Sequence, residues 1–127
     1  MTMDAARPLS GLRVLLAEDH FAIALAMSGM LEDLGCVVVA EAGDTAAATE
    51  AARTVAADCA LLDIDMGDGT GYAAAEHCRA RGIPVIFTTG YDMPPDMPAD
   101  LADLPRLVKP VAAVDLKRVL RGLAAAG

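Results

Sequence analysis

Short apolar runs alternate along the chain with stretches whose apolar residues recur at helical spacing, and glycine or proline stands at most of the joints. Residues 13–17 are the first β-type run, and they close on Glu18-Asp19. Residues 20–34 carry Phe21, Leu25, Ser28 and Leu31 at helical spacing, with Gly35 as a left-handed stop. A second strand is expected at 37–40, and Asp44 suits the N-cap of an alanine-rich helix reaching about residue 56. Cys59-Ala60-Leu61-Leu62-Asp63 has four apolar residues closed by an acid, the pattern of a strand buried on both faces. Residues 72–81 make a further helix stopped by Gly82, and Pro84 leads into a strand at 85–89.

From Gly90 the rhythm breaks. Pro94, Pro95 and Pro98 forbid a helix until about residue 98, so any fourth helix is short or disordered. A brief fifth strand at 106–108 precedes Lys109-Pro110, and a last amphipathic helix at 112–124 sets Leu116, Val119, Leu120 and Leu123 on one face. Five strands alternating with helices predict an α/β fold: a doubly wound, five-stranded parallel sheet of flavodoxin-like order 2-1-3-4-5, with helices on both faces.

That topology has a chemical consequence. Strands one, three, four and five lie side by side and run the same way, so Glu18, Asp19, Asp63, Thr89 and Lys109 all leave the sheet at its carboxyl edge. Clustered carboxylates repel one another and hold their charge most easily around a divalent cation, and an all-oxygen donor set points to Mg²⁺. Thr89 offers a hydroxyl and Lys109 a mobile point charge suited to phosphate. Asp63 can act as metal ligand and as nucleophile toward phosphorus. A plainer reading stays open beside this one, in which Asp63 only closes a turn before a helix.

Length and charge narrow the field. With 127 residues the chain is one ordinary domain, expected as a tail at 1–10 followed by the domain at 11–127. Ten basic against 18 acidic residues give a net charge of -8, which disfavours nucleic acid and anionic membranes as partners. No apolar run reaches membrane-span length and the first ten residues lack the apolar core of a secretory signal, so a cytoplasmic protein is expected. Cys36, Cys59 and Cys78 lack ligand-like spacing and read as small buried hydrophobes. His20, next to the acidic pair, reads as a helix start with a role at the edge of the site as the alternative; His77 reads as a helix-surface residue, and Asp68, near the site, as part of a turn with Gly67 and Gly69.

The motifs L-L-A-E-D-H, A-L-L-D-I-D-M-G, P-V-I-F-T-T-G-Y and V-K-P, in this order over residues 12–123, resemble the receiver domains of bacterial two-component response regulators. The resemblance implies that Asp63 accepts a phosphoryl group from a phosphohistidine on a sensor histidine kinase. It also implies that Asp19, Asp63 and the backbone carbonyl of Asp65 ligate Mg²⁺, with Glu18 acting through water, and that Thr89 and Lys109 read the phosphorylated state. The chain is then a phosphoacceptor switch that promotes its own phosphotransfer and slow dephosphorylation, not an enzyme with other substrates. A downstream protein target or a phosphotransfer protein would read it.

Three departures qualify that likeness. Gly67 stands where receivers commonly have proline, Asp65 where they have asparagine, and Arg106 where an aromatic switch residue is expected. The run I-F-T-T-G-Y is similar to the FAT GUY subgroup, often single-domain proteins paired with kinases of HWE type, although Thr88 replaces an alanine. On that likeness, residues 90–105 are expected to change order on phosphorylation, with Tyr91 substituting for the missing aromatic.

Two rivals belong to other classes. Asp63-Ile64-Asp65 also resembles the D-x-D nucleophile motif of haloacid-dehalogenase-type phosphohydrolases, in which the second Asp is a general acid. Two strands precede the motif here, however, and little chain follows it for a cap. A degenerate receiver serving only as a binding module is the other rival, and the complete Glu18, Asp19, Asp63, Thr89 and Lys109 set weighs against it.

Overall fold

The computed structural model describes residues 9–90 and 96–126. Five strands, β1 (Arg13–Ala17), β2 (Val37–Ala42), β3 (Cys59–Asp63), β4 (Val85–Thr89) and β5 (Arg106–Val108), form one sheet in the order β2-β1-β3-β4-β5. Every pairing is parallel. The intervening helices are α1 (Phe21–Asp33), α2 (Thr45–Thr54), α3 (Tyr72–Ala80) and α4 (Ala113–Ala126), and among the described residues the fourth crossover contains only the 3₁₀ turn Ala99–Leu101. This is the doubly wound arrangement that the alternating periods predict.

Side-chain alternation along the strands builds two cores, one on each face. Leu15, Leu62 and Phe87 pack with Ala48 and Ala52 of α2 and Ala74, Ala75 and Cys78 of α3. Leu16, Leu61 and Ile86 pack on the opposite face with Met27 and Leu31 of α1 and Leu116 and Leu120 of α4. Because alanines carry the contact surface of α2 and α3, those helices lie close to the sheet and to each other. All five residues of β3 are buried, and so are all five of β4. Each Leu, Ile or Phe removed from water there contributes about 1.5–3 kcal/mol, which makes the two central strands the rigid base of whatever their ends carry.

Some expected details change. In α1, Phe21 and Leu25 are 82% and 63% exposed, while Met27, Ser28 and Leu31 are buried. The helix is apolar nearly all round, so its spacing alone does not identify the inward stripe. β2 runs two residues beyond the expected 37–40, and α2 stops at Thr54, two short of expectation. The core takes in Leu9, at 2% exposure, although the tail expected at 1–10 includes it. Gly35 and Gly82 do adopt left-handed φ values of 96° and 75° after their helices. Tyr91 and the rest of 91–95 lie outside the described residues, and with them part of the segment expected to change order.

At the amino edge of the sheet, the backbone N–H of Arg13 donates to Asp58 Oδ2 at 2.8 Å, and its guanidinium reaches the same carboxylate at 3.2 and 3.0 Å. These hydrogen bonds hold the Asp58 carboxyl below its usual range. A carboxyl depressed in the folded state stabilises the fold at pH values above its unfolded pKa, and the contribution disappears as pH falls through the folded pKa. Asp58→Asn is therefore expected to lower the urea midpoint at neutral pH, with the difference from the native chain closing as pH falls below the usual carboxylate range. Parallel denaturation curves across that range check it.

Candidate functional site

Strand register assembles the site. Asp63, the last residue of β3, is 0% exposed and lies opposite Thr88 of β4, whose carbonyl accepts the N–H of Ile64 at 2.9 Å. Thr89 ends β4 one step further along and is buried. Its carbonyl accepts the backbone N–H of Lys109 at 2.8 Å, which fixes where the lysine leaves β5. Glu18 leaves β1 between β2 and β3, with its N–H donating to the carbonyl of Ala42 at 3.0 Å. Lys109 and Pro110 are joined by a cis peptide.

A single ammonium then spans the acids. Lys109 Nζ donates to Asp63 Oδ2 at 2.8 Å and to Glu18 Oε1 at 3.2 Å. The other Asp63 oxygen accepts the N–H of Asp65 at 3.1 Å, and the other Glu18 oxygen accepts the N–H of His20 at 3.0 Å. Burial, with the charge of Glu18, pushes the Asp63 carboxyl up to about 6, against the pull of Lys109. Burial also works to raise Glu18, but the His20 N–H and Lys109 more than offset it and leave Glu18 below its usual range. Burial would lower Lys109, yet its bonds to Asp63 and Glu18 keep its pKa raised. At neutral pH the site holds two buried carboxylates and one shared cation.

Asp19 is less well served. Its Oδ1 is buried without a hydrogen-bond partner, although His20 Nδ1 stands only 3.3 Å away. Among the described residues, Glu18, Asp19 and His20 offer ligand atoms within 4.8 Å of one another, and Glu18 and Asp19 line a cleft of about 230 Å³ together with Phe21 and Glu41. An unsatisfied buried carboxylate oxygen next to a second carboxylate suits a hard divalent cation, so the residues present fit Mg²⁺. Asp63 lies outside that group of three and is linked to Glu18 through Lys109.

The loop after Asp63 closes over Asp19. Gly67 has φ +83°, and a Cβ placed there would meet Asp19 Oδ2 at 2.8 Å. Proline, whose ring fixes a negative φ, cannot take this turn, so the departure at Gly67 reflects a differently built loop. The Asp65 carboxylate accepts the N–H of Gly67 at 2.9 Å, and Met66 N–H donates to Gly69 O at 2.9 Å. At the end of the loop the backbone of Gly71 presses against Asp63, so that an added Cβ would collide with the Asp63 carbonyl oxygen. Gly71→Ala must therefore push the acceptor strand end and the start of α3 apart. It is expected to cost about 1–3 kcal/mol by urea denaturation, as overpacking does, and to shift the backbone amide resonances of residues 63–66.

The structure thus brings Glu18, Asp63 and Lys109 into direct contact. It places Asp19 and His20 beside them, aligns Thr89 by register, and sets Asp65 in the loop with its N–H on Asp63. His20 and Asp68 hold positions that spacing along the chain does not reveal. His20, whose adjacency to the acidic pair already allows a place at the edge of the site as well as a helix start, is the N-cap of α1 and lies beside Glu18 and Asp19. The contacts of Asp68 depend on a helix 23 residues earlier, and no local signal exists for them. Arg106 is exposed on β5 opposite Phe87, and Tyr72 meets Phe87 edge-on with ring centroids 6.0 Å apart. No described helix is long and apolar enough to cross a membrane.

The family model described as "Response regulator receiver domain" matches residues 14–121. The transcriptional regulatory protein PdtaR of Mycobacterium tuberculosis is 33% identical over 116 residues, covering 89% of this chain and 55% of PdtaR. The chain thus spans about half the length of the curated relatives it matches. Among solved structures, the receiver domain of sensor histidine kinase PA1611 from Pseudomonas aeruginosa, with a magnesium ion coordinated in its active site cleft, is 27% identical. It superposes with a TM-score of 0.79 over 91% of this chain and 99% of that one. The signal receiver domain of the response regulator NarL from M. tuberculosis is 25% identical, with a TM-score of 0.78 over 93% and 99% of the two chains.

Proposed function

The chain belongs to the response regulator receiver domain family, and from that premise we propose that it accepts a phosphoryl group from a sensor histidine kinase on Asp63 and signals by the conformational change that follows. The observation that carries this is the buried Asp63 carboxylate held by Lys109, with Glu18 and the unsatisfied Asp19 alongside. Mg²⁺ would be held by Asp19, Asp63 and the backbone carbonyl of Asp65, with Glu18 acting through water. When bound, it supplies charge neutralisation to the phosphoryl oxygens.

The remaining work falls to the chain. An Asp63 oxygen attacks phosphorus in line, and the bond from phosphorus to the donor nitrogen breaks as the new P–O bond forms. Lys109, already hydrogen-bonded to Asp63, moves its ammonium onto the arriving oxygens, and Thr89 turns its hydroxyl toward them. The aspartyl phosphate carries more negative charge than the carboxylate it replaces, so the β4 and β5 ends are drawn inward and the surface around them changes.

The finer reading is a member of the FAT GUY subgroup. It is supported by Phe87-Thr88-Thr89-Gly90-Tyr91, by the 3₁₀ turn Ala99–Leu101 among the described residues of the fourth crossover, and by the exposed Arg106 where an aromatic is usual. Its donor is then a kinase of HWE type, and its reader a downstream protein or a phosphotransfer protein. The phosphohydrolase rival is opposed by Asp65, whose carboxylate is turned back onto the Gly67 N–H within its own loop. Incubation with labelled acetyl phosphate decides between them: one equivalent of Mg²⁺-dependent label supports the acceptor, whereas rapid turnover of a simple phosphate ester would overturn it.

A further inference from the structure

The loop that lies on Asp19 is fastened at its tip to another element. Asp68 Oδ2 accepts the hydroxyl of Thr45 at 3.1 Å, and Asp68 Oδ1 accepts the backbone N–H of Thr45 at 3.3 Å. Thr45 is the first residue of α2, and its N–H is among those the helix leaves without an internal partner. A carboxylate is favoured there by the helix dipole. Asp44, the N-cap, is already engaged with the N–H of Ala47 at 2.8 Å, so Asp68 caps a donor that the helix's own cap does not reach. Gly69 fits the same contact, since a Cβ on it would stand 3.1 Å from Thr45 Cγ2.

The rest of the loop converts this fastening into a position for the site. Residues 65–70 form a self-closed turn, with Met66 N–H on Gly69 O, Asp65 bridged to Thr70, and Gly67 N–H on the Asp65 carboxylate. Met66 anchors its base in the core at 2% exposure. Gly67 abuts Asp19 Oδ2 on one side, and Asp68 grips α2 on the other. Displacing the tip therefore moves both the backbone against Asp19 and the segment that carries the Asp65 carbonyl.

We propose that Asp68 is a positioning residue: its hydrogen-bonded latch to Thr45 at the start of α2 holds the 65–70 loop in the register that aligns Asp19 and the Asp65 carbonyl on a divalent cation. The proposal rests on the acceptor reading only for the identity of that cation. Thr45→Val is the informative variant, because it removes the hydroxyl bond and leaves every charge in place. It is expected to weaken Mg²⁺ binding, measured by titration calorimetry, by about three- to tenfold, at or below the low end of the usual effect of outer partners of metal ligands because the latch is solvent-exposed. In the metal-free protein it is expected to speed amide exchange at residues 67–69 about tenfold, while exchange in β3 stays unchanged. Asp68→Asn keeps an oxygen for the Thr45 N–H and should fall between Thr45→Val and Asp68→Ala. The double variant Asp68→Ala/Thr45→Val should bind no more weakly than Asp68→Ala alone.

Unchanged Mg²⁺ affinity in Thr45→Val, or equally protected loop amides, overturns the latch. A native chain that binds no Mg²⁺ at all would overturn the acceptor reading instead, and the exchange arm would still judge the latch.

Discussion

Asp63→Asn is expected to abolish Mg²⁺-dependent labelling by acetyl phosphate, lowering its initial rate about a thousandfold or more, the scale on which removal of a nucleophile acts. A neutral amide oxygen neither attacks phosphorus usefully nor offers a cation a full charge. The variant should fold. Its Oδ1 can still accept the N–H of Asp65, as Asp63 does at 3.1 Å, and the charge it loses is one that repels Glu18 across Lys109. Lys109 keeps Glu18 as a partner at 3.2 Å. Circular dichroism and a urea curve establish that the fold survives. Labelling at the native rate in a folded variant would move the acceptor to another carboxylate and remove the mechanism argued above.

Much of this site is legible along the chain because strand ends converge. Once β1, β3, β4 and β5 are identified from short runs of three to five residues, parallel order alone brings Glu18, Asp63, Thr89 and Lys109 to one edge, and the structure adds distances to a placement already implied. Helix faces are less legible. α1 carries Phe21, Ile23, Leu25, Met27, Met30 and Leu31 around its whole circumference, so a 3.6-residue period cannot say that Phe21 and Leu25 point outward. Loop chemistry is the least legible. Asp68 lies between two glycines and reads as a turn former, and only the packing of α2 beside the loop gives its carboxylate a partner in Thr45. Gly67 shows the same limit, for its positive φ and its approach to Asp19 depend on a residue 48 positions away that local preference does not sense.

Lys109→Met is expected to cost more stability than any other single change at the site. Glu18 and Asp63 side chains are 2% and 0% exposed, and the ammonium between them is their shared compensation. Removing one partner of a buried ionic group leaves the others uncompensated, at a cost of about 3–5 kcal/mol in the metal-free protein at neutral pH. Methionine fills most of the aliphatic stem, which confines the effect to charge. Added Mg²⁺ should then stabilise the variant more than the native chain, because a cation entering the variant meets the same acids without a neighbouring positive charge. The measurement is a pair of urea curves for each protein, with EDTA and with excess Mg²⁺. A variant as stable as the native chain in EDTA would mean that the two carboxylates find relief without Lys109. An equal gain from Mg²⁺ in both proteins would mean that the cation does not sit among the acids Lys109 holds.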